Sequence, residues 1–317
     1  MHSQESCNAA VAQVLTDFPS LDVVIHNAAH LFIGMAEGFT AEQLADSINT
    51  NAVGAHRLNR AALPHMRKHG SGVLLYVGSG ITRIVSPFMM PYVAGKYAMD
   101  AFAEATAYEV GPLGTETVIV MPGVFMDGTS HFATAVFPAD KAALGGYDKL
   151  RAEYDRYEPG LRNLFRGGCD APVQGVADEI ARVLALPRGR KPMRTTVDYS
   201  DYGAEPVNSV AQAQTERVFR IMGFDRLLEL GKCEASGDRS VHAAPVTEAR
   251  PGFPLSSRAD YPRHDWQFSS DHHRNAVDGA AAEDGINILY GSQTGKDGFL
   301  GQRPRGPAGR RLQLPSA

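Results

Sequence analysis

Tyr92-Val93-Ala94-Gly95-Lys96 sets a phenol and an ammonium four residues apart. On a helix, residues at that spacing share a face and their ends can meet. A tyrosine hydroxyl ordinarily titrates at about 10. A nearby cation favours phenolate and lowers that value, which suits a proton donor or acceptor working near neutrality. The spacing alone is weak evidence in a chain with 11 tyrosines, where a surface lysine beside a half-buried tyrosine is the plainer reading. Its context strengthens it. Ser79 directly follows the apolar run Val73-Leu74-Leu75-Tyr76-Val77-Gly78, where a hydroxyl can meet a substrate oxygen. Asn51 interrupts a long helical pattern in which asparagine is a mediocre helix former. Asn27-Ala28-Ala29 follows another apolar run and offers small residues where a flat ligand can approach the backbone.

The elements that must position these groups alternate along the chain. Residues 8–15 carry a helical apolar pattern broken by Pro19 and Ser20. Leu21-Asp22-Val23-Val24-Ile25 reads as a strand buried on both faces. Thr40-Ala41-Glu42-Gln43 is a capping box that opens a long helix to about Lys68, ended by His69-Gly70-Ser71-Gly72. Residues 73–77 predict a second strand, Pro91 a helix to about Val110, and residues 117–120 a third strand ended by Pro122-Gly123. Residues 176–184 form an amphipathic helix, residues 192–197 a last strand and residues 215–230 a last helix. This alternation predicts an α/β fold: a three-layer, Rossmann-type, doubly wound parallel sheet with right-handed crossovers. Ligands of such sheets bind beyond the carboxyl ends of the strands. Ala28-Ala29, Ser79 and Pro122-Gly123 all fall there.

With these residues in place, the sequence resembles the short-chain dehydrogenase/reductase family over about residues 3–230. The likeness rests on the strand at 21–25 with His26-Asn27-Ala28-Ala29, on Asn51-Ala52-Val53-Gly54, on Ser79 with Tyr92-x-x-x-Lys96, and on Met121-Pro122-Gly123-Val124 followed by Thr129. It implies an oxidoreductase passing a hydride between NADP or NAD and a small-molecule alcohol or ketone. Tyr92 would exchange a proton with the substrate oxygen, and Lys96 would lower the tyrosine's pKa and bind the nicotinamide ribose. Ser79 would hold the substrate oxygen, and Asn51 would support a water-linked proton relay. Asn27 and Ala28 would line the adenosine side of the cofactor path. Pro122, Gly123 and Val124 would shape the nicotinamide pocket, with Thr129 on its carboxamide. The resemblance also implies that the two long helices pair in a homo-oligomer.

Departures from the family pattern are informative. Its usual Asn-Asn-Ala-Gly reads His26-Asn27-Ala28-Ala29, and the threonine after Pro122-Gly123 stands further along than usual. Alanine adds a methyl where the backbone conformation is special, and His26 reads as a structural neighbour rather than a catalytic base. The family begins with a strand, a Gly-rich turn and a helix whose bare amides receive the pyrophosphate. Gly70-Ser71-Gly72 and Gly78-Ser79-Gly80 lack that spacing and context. The expectation is therefore an N-terminally truncated domain over residues 1–232, without the first β-α-β-α-β part and with the outer edge of its first strand open. A catalytically inactive remnant or interaction module is the competing reading.

Composition sets the remaining bounds. The chain has 317 residues, 44% hydrophobic and 21% charged, and a net charge of −4, which excludes a wholly disordered chain and argues against a nucleic-acid binder. Three scattered cysteines write neither a disulfide framework nor a zinc cluster. No apolar run is long enough to span a membrane and no secretory signal opens the chain, so the expectation is cytoplasmic. Residues 233–317 are rich in Gly, Pro, Ser, Asp and Arg and read as a largely disordered tail. Within it, Ile286-Asn287-Ile288-Leu289-Tyr290-Gly291-Ser292-Gln293-Thr294-Gly295 resembles the first strand and phosphate loop of flavodoxin-like domains. With 22 residues following, no whole FMN domain fits.

Overall fold

The computed structural model describes residues 1–165, 169–229 and the strand 288–291. In chain order the main elements are α1 (Gln4–Asp17), β1 (Val23–His26), α2 (Ala41–Ile48), α3 (Gly54–His69), β2 (Gly72–Val77), α4 (Met90–Val110) and β3 (Thr115–Pro122). Two short helices follow, α5 (Arg151–Asp155) and α6 (Tyr157–Arg162), then α7 (Gln174–Leu184), β4 (Arg194–Val197), α8 (Ala204–Ile221) and β5 (Ile288–Gly291). The strands form one parallel sheet in the order β4-β3-β2-β1-β5.

Alternation along the strands builds two cores. Val24, Leu74, Tyr76, Ile119 and Met121 point to one face and pack against α1, α3 and α4 through Val11, Leu58, Ala62, Met99 and Ala103. Val23, Ile25, Leu75, Val118 and Val120 point to the other and pack under Val183 of α7. Strands buried on both faces explain the near-continuous apolar runs of the sequence. The carboxyl ends of β1, β2 and β3 lie together, so the segments that follow them share one rim.

The structure corrects three expectations. The helix from Thr40 to Lys68 is not continuous: the capping box at Thr40 and Gln43 is present, but Asn49–Val53 form a π-helical turn between α2 and α3. The last helix is Ala204–Ile221, followed by a 3-10 turn at Asp225–Leu228, rather than residues 215–230. The outer edge of β1 is not open, because β5 pairs with it in parallel, with Val23 opposite Ile288 and His26 opposite Gly291. Its faces are covered too, Val23 to His26 being buried throughout. The strand expected within 286–295 is therefore found; the rest of the tail lies outside the described residues.

Candidate active site

Pro91 opens α4 in its first turn, where its missing N–H costs nothing. Tyr92 and Lys96 follow on one face of that helix, both buried. Ser79 ends β2 and caps the 3-10 turn Gly80–Thr82, its side chain accepting a hydrogen bond from the Ile81 N–H. That placement sets the Ser79 side chain beside Tyr92, where its hydroxyl acts on the phenol. Lys96 Nζ lies 5.9 Å from the centre of the Tyr92 ring and donates to the Val77 carbonyl at 2.9 Å.

Electrostatics at this corner differ from the simple picture. Burial pushes the Tyr92 phenol well above its ordinary range, and the Ser79 hydrogen bond works against that rise. The expected lowering of this phenol by Lys96 is not what the structure shows; the opposing contribution comes from Ser79. Burial instead brings the Lys96 ammonium down to about 8. His131, from the loop after β3, stands edge-on to Tyr92 with ring centres 5.4 Å apart. Its burial and the neighbouring Lys96 and His30 hold its imidazole down to about 4.

Asn51 sits in the π-helical turn, and such turns often mark functional sites. Its carbonyl oxygen accepts from the His30 N–H at 2.8 Å, and its amide donates to the His30 carbonyl and the Ser47 hydroxyl. The side chain thus ties the segment after β1 to α2, rather than reaching Tyr92 or Lys96 directly. Ser47 in turn donates to the Pro91 carbonyl at 2.7 Å, linking α2 to the start of α4. Gly95 makes this closeness possible: a Cβ there would stand 3.0 Å from Asn51 Nδ2 and from the Ser47 carbonyl.

The remaining predicted residues line the same rim. Asn27 and Ala28 follow β1 and are half-buried. Pro122 ends β3, Gly123 donates to the Val197 carbonyl at 2.9 Å, and Val124 is buried. A Cβ on Gly123 would collide with the Asp198 side chain, so glycine is required there. Thr129 is exposed, and its hydroxyl accepts from the His131 N–H.

Aromatic residues that follow β3 differ in placement. Phe132 and Tyr157 pack with Tyr92, Phe32 and Ile81. Tyr154 and Tyr157 clasp Phe88 edge-on, and Phe88 holds a left-handed φ of 62° while its carbonyl accepts from Gly34. Phe137 is exposed instead. A cavity of ≈ 510 Å³ lined by Met35, Val85, Phe88, Met90, Tyr97 and Tyr147 opens nearby. Met90, Ala94 and Tyr97 point away from Tyr92 around α4, so this cavity lies on the other side of the helix.

Sequence reasoning missed His131, Ser47 and Gly95, because nothing local in their spacing marks them. Among the described residues there is no group of three metal-ligating side chains and no helix long and apolar enough to cross a membrane.

Comparison with known proteins supports the same fold. Residues 1–135 match the family described as short chain dehydrogenase. Over that stretch the chain is similar to the short-chain dehydrogenases. Human retinol dehydrogenase 8 is 28% identical over 236 residues, covering 72% of this chain and 74% of that protein. A 3-ketodihydrosphingosine reductase from Bacteroides thetaiotaomicron is 34% identical over 125 residues, 39% of this chain and 46% of the relative. A short-chain dehydrogenase from Streptomyces avermitilis superposes with a TM-score of 0.53 at 26% identity, covering 71% of this chain and 79% of that one. The chain spans about half the length of the first curated relatives it matches.

Proposed function

We propose that this protein is a short-chain dehydrogenase/reductase that interconverts an alcohol and a ketone or aldehyde with NADP or NAD, and that Tyr92 moves the proton. One observation carries the reading: a buried phenol beside Ser79, with a buried ammonium one helical turn along and 5.9 Å from its ring centre. The residues fit the nicotinamide half of such a cofactor. Lys96 has three N–H bonds and one protein acceptor, Val77, at 2.9 Å, which leaves donors for a ribose hydroxyl. Gly123, Pro122 and Val124 present a glycine backbone and apolar side chains beside them. A bound nicotinamide supplies or takes up the hydride.

The chain's own residues then have separate tasks. Ser79 holds the substrate oxygen by a hydrogen bond and keeps it beside the phenol. Tyr92 gives its proton to that oxygen in reduction and takes one from it in oxidation. Lys96 binds the ribose with the N–H donors that Val77 leaves free. Asn51 supports proton relay by fixing the segment at His30, which it grips from both sides. Asn27, Ala28 and Thr129 complete the cofactor path as adenosine-side and carboxamide contacts.

Tyr92→Phe is the direct test. Alcohol oxidation or ketone reduction, followed by nicotinamide absorbance, should fall by at least about a thousandfold, the scale of losing a positioned proton donor. Activity retained in that variant overturns the role of Tyr92. A second reading, a family fold without turnover, has one observation in its favour. Among the described residues no glycine-rich turn opens a helix directly after a strand in the way that cradles a pyrophosphate. Titrating NADPH and NADH against the protein separates the two, with weak binding expected; sub-micromolar affinity would remove the second reading.

A further inference from the structure

We propose that Arg83 is a positioning residue that sets Ser79 against Tyr92. The proposal rests on the reading of those two residues given above. Arg83 directly follows the turn that Ser79 caps. Within that turn, the Thr82 hydroxyl donates to the Ser79 carbonyl at 3.0 Å. One nitrogen of the Arg83 guanidinium, Nη1, donates to the Thr82 carbonyl at 2.8 Å and to the Thr82 hydroxyl at 3.0 Å. The fork therefore grips the residue that grips Ser79.

The other side of the fork is fixed elsewhere. Nη2 donates to Asp100 Oδ2 at 3.1 Å, and Nε donates to Asn208 Oδ1 of α8 at 2.7 Å. Asp100 lies on α4, one turn beyond Lys96 and two beyond Tyr92. Its Oδ2 is held from a second side by Arg194 of β4 at 2.9 Å. Arg83 is thus a cross-brace from the serine's turn to the helix that carries the tyrosine and lysine. Its side chain is only 11% exposed and that of Asp100 only 9%, so water has little part in the brace.

Two features argue that the action is positional. Arg83, Arg194, Asp100 and Glu104 together carry two positive and two negative charges, so the cluster projects little net field onto Tyr92. A planar guanidinium also satisfies three separate directions at once, which a lysine ammonium on a flexible stem does not. Misplacing a reacting group by about 1 Å can cost on the order of a hundredfold in rate. A brace that fixes the serine to the tyrosine helix guards against that displacement.

The test reads the tyrosine itself. With 3-fluorotyrosine installed at position 92, the fluorine resonance reports the hydrogen bond from Ser79 whether or not the protein turns over. Arg83→Met should shift that resonance in the same direction as Ser79→Ala. The double variant should add nothing beyond Ser79→Ala alone, because Arg83 acts through the serine. Arg83→Lys should fail to restore the resonance, and Asn208→Leu, a milder loss of one brace contact, should give a smaller shift of the same sign. Lys191→Met breaks another buried ion pair, to Glu116 at the opposite end of β3, and should leave the resonance in place. Additive shifts, rescue by lysine, or an equal shift in Lys191→Met overturns the proposal. Where turnover is measurable, kcat should fall about 10- to 100-fold in Arg83→Met with KM nearly unchanged. Absence of turnover in the parent would count against the proposed reaction alone, since the fluorine readout stands apart from it.

Discussion

Two buried tyrosines stand on neighbouring elements of this protein, and their surroundings differ in kind. Tyr76, on β2, accepts a hydrogen bond from Asn59 Nδ2 at 2.5 Å, and Asn59 Oδ1 pairs with His26 Nε2 at 2.8 Å. The His26 and Tyr76 rings lie 4.4 Å apart inside the core formed with α1 and α3. Every group there is neutral, and all of them come from regular strands and a helix. Tyr92 meets a serine at a strand end, a buried ammonium, and an imidazole on a loop. Burial raises both phenols. What separates them is company: one set is neutral and leaves only His26 Nδ1 unpartnered, the other includes a buried charge and residues from a strand end and a loop. A buried polar network that satisfies itself contributes stability, whereas one holding a charge with spare donors is arranged for something that arrives.

The sharpest way to break this comparison is to remove the centre of each cluster. Asn59→Ala leaves the His26 imidazole and the Tyr76 hydroxyl without their shared partner and opens a small void. Two such groups, each worth about 1–3 kcal/mol, predict a loss of roughly 3–5 kcal/mol in urea unfolding. Tyr92→Phe should change unfolding by less than about 1 kcal/mol while removing turnover. Equal destabilisation by the two would mean that both clusters are structural.

Acid should expose the same difference. His26 is held down to about 4 by burial, against an unfolded value of about 6.5. Its folded form therefore binds fewer protons than the unfolded chain between those values. The stability it supplies is complete above pH 6.5 and is lost as pH falls toward 4, by about 3 kcal/mol in all. His26→Asn should flatten that part of the unfolding curve. His131 is also held down to about 4, yet it lies on the loop after β3 rather than in a strand or helix. Its protonation should loosen only residues 127–135, seen as faster amide exchange near pH 5. Global unfolding tracking His131→Asn instead would erase the distinction between the two clusters.

Much of this arrangement can be read from local sequence, and the unread part has a common cause. The strands at Val23–His26 and Gly72–Val77 announce themselves as β-branched and apolar runs. Tyr92, Lys96 and Ser79 were legible because one helical turn and one strand end place them. The π-helical turn at Asn49–Val53 was not, because its cause is tertiary: Asn51 grips His30, 21 residues away in sequence. Arg83 was equally invisible, its partners lying 17 residues away at Asp100 and 125 away at Asn208. The cover on β1 comes from Ile288–Gly291, which reads as a strand but carries no local mark of where it docks.

Gly95 offers a smaller, sharper probe of the reacting corner. A methyl there would press on Asn51 Nδ2 and the Ser47 carbonyl, both at 3.0 Å, and the Asn51 amide is held by the His30 carbonyl and the Ser47 hydroxyl. Gly95→Ala should cost about 1–3 kcal/mol through this overpacking, despite the better helix propensity of alanine. Stabilisation by Gly95→Ala would show that α4 can move away from Asn51 freely, and that the corner is looser than its hydrogen bonds imply.

The smallest expected effect has an unusual sign. Lys96 is buried with one carbonyl partner, and burial lowers its ammonium to about 8 from an unfolded value of about 10.4. At pH 7 the folded protein therefore holds a desolvated charge that the unfolded chain would hydrate. Lys96→Met keeps the length and apolar stem and removes that charge, so unfolding at pH 7 should become harder by about 1–2 kcal/mol after the lost Val77 hydrogen bond is subtracted. The parent binds fewer protons folded than unfolded between about 8 and 10.4, so its stability rises with pH across that window. The advantage of Lys96→Met should shrink accordingly and be gone above pH 10.4. A side chain whose removal stabilises the fold is kept for what it does to a ligand, the mark that separates it from Asn59. If Lys96→Met instead weakens the fold at pH 7, Lys96 belongs with the sealed cluster as a structural donor to Val77.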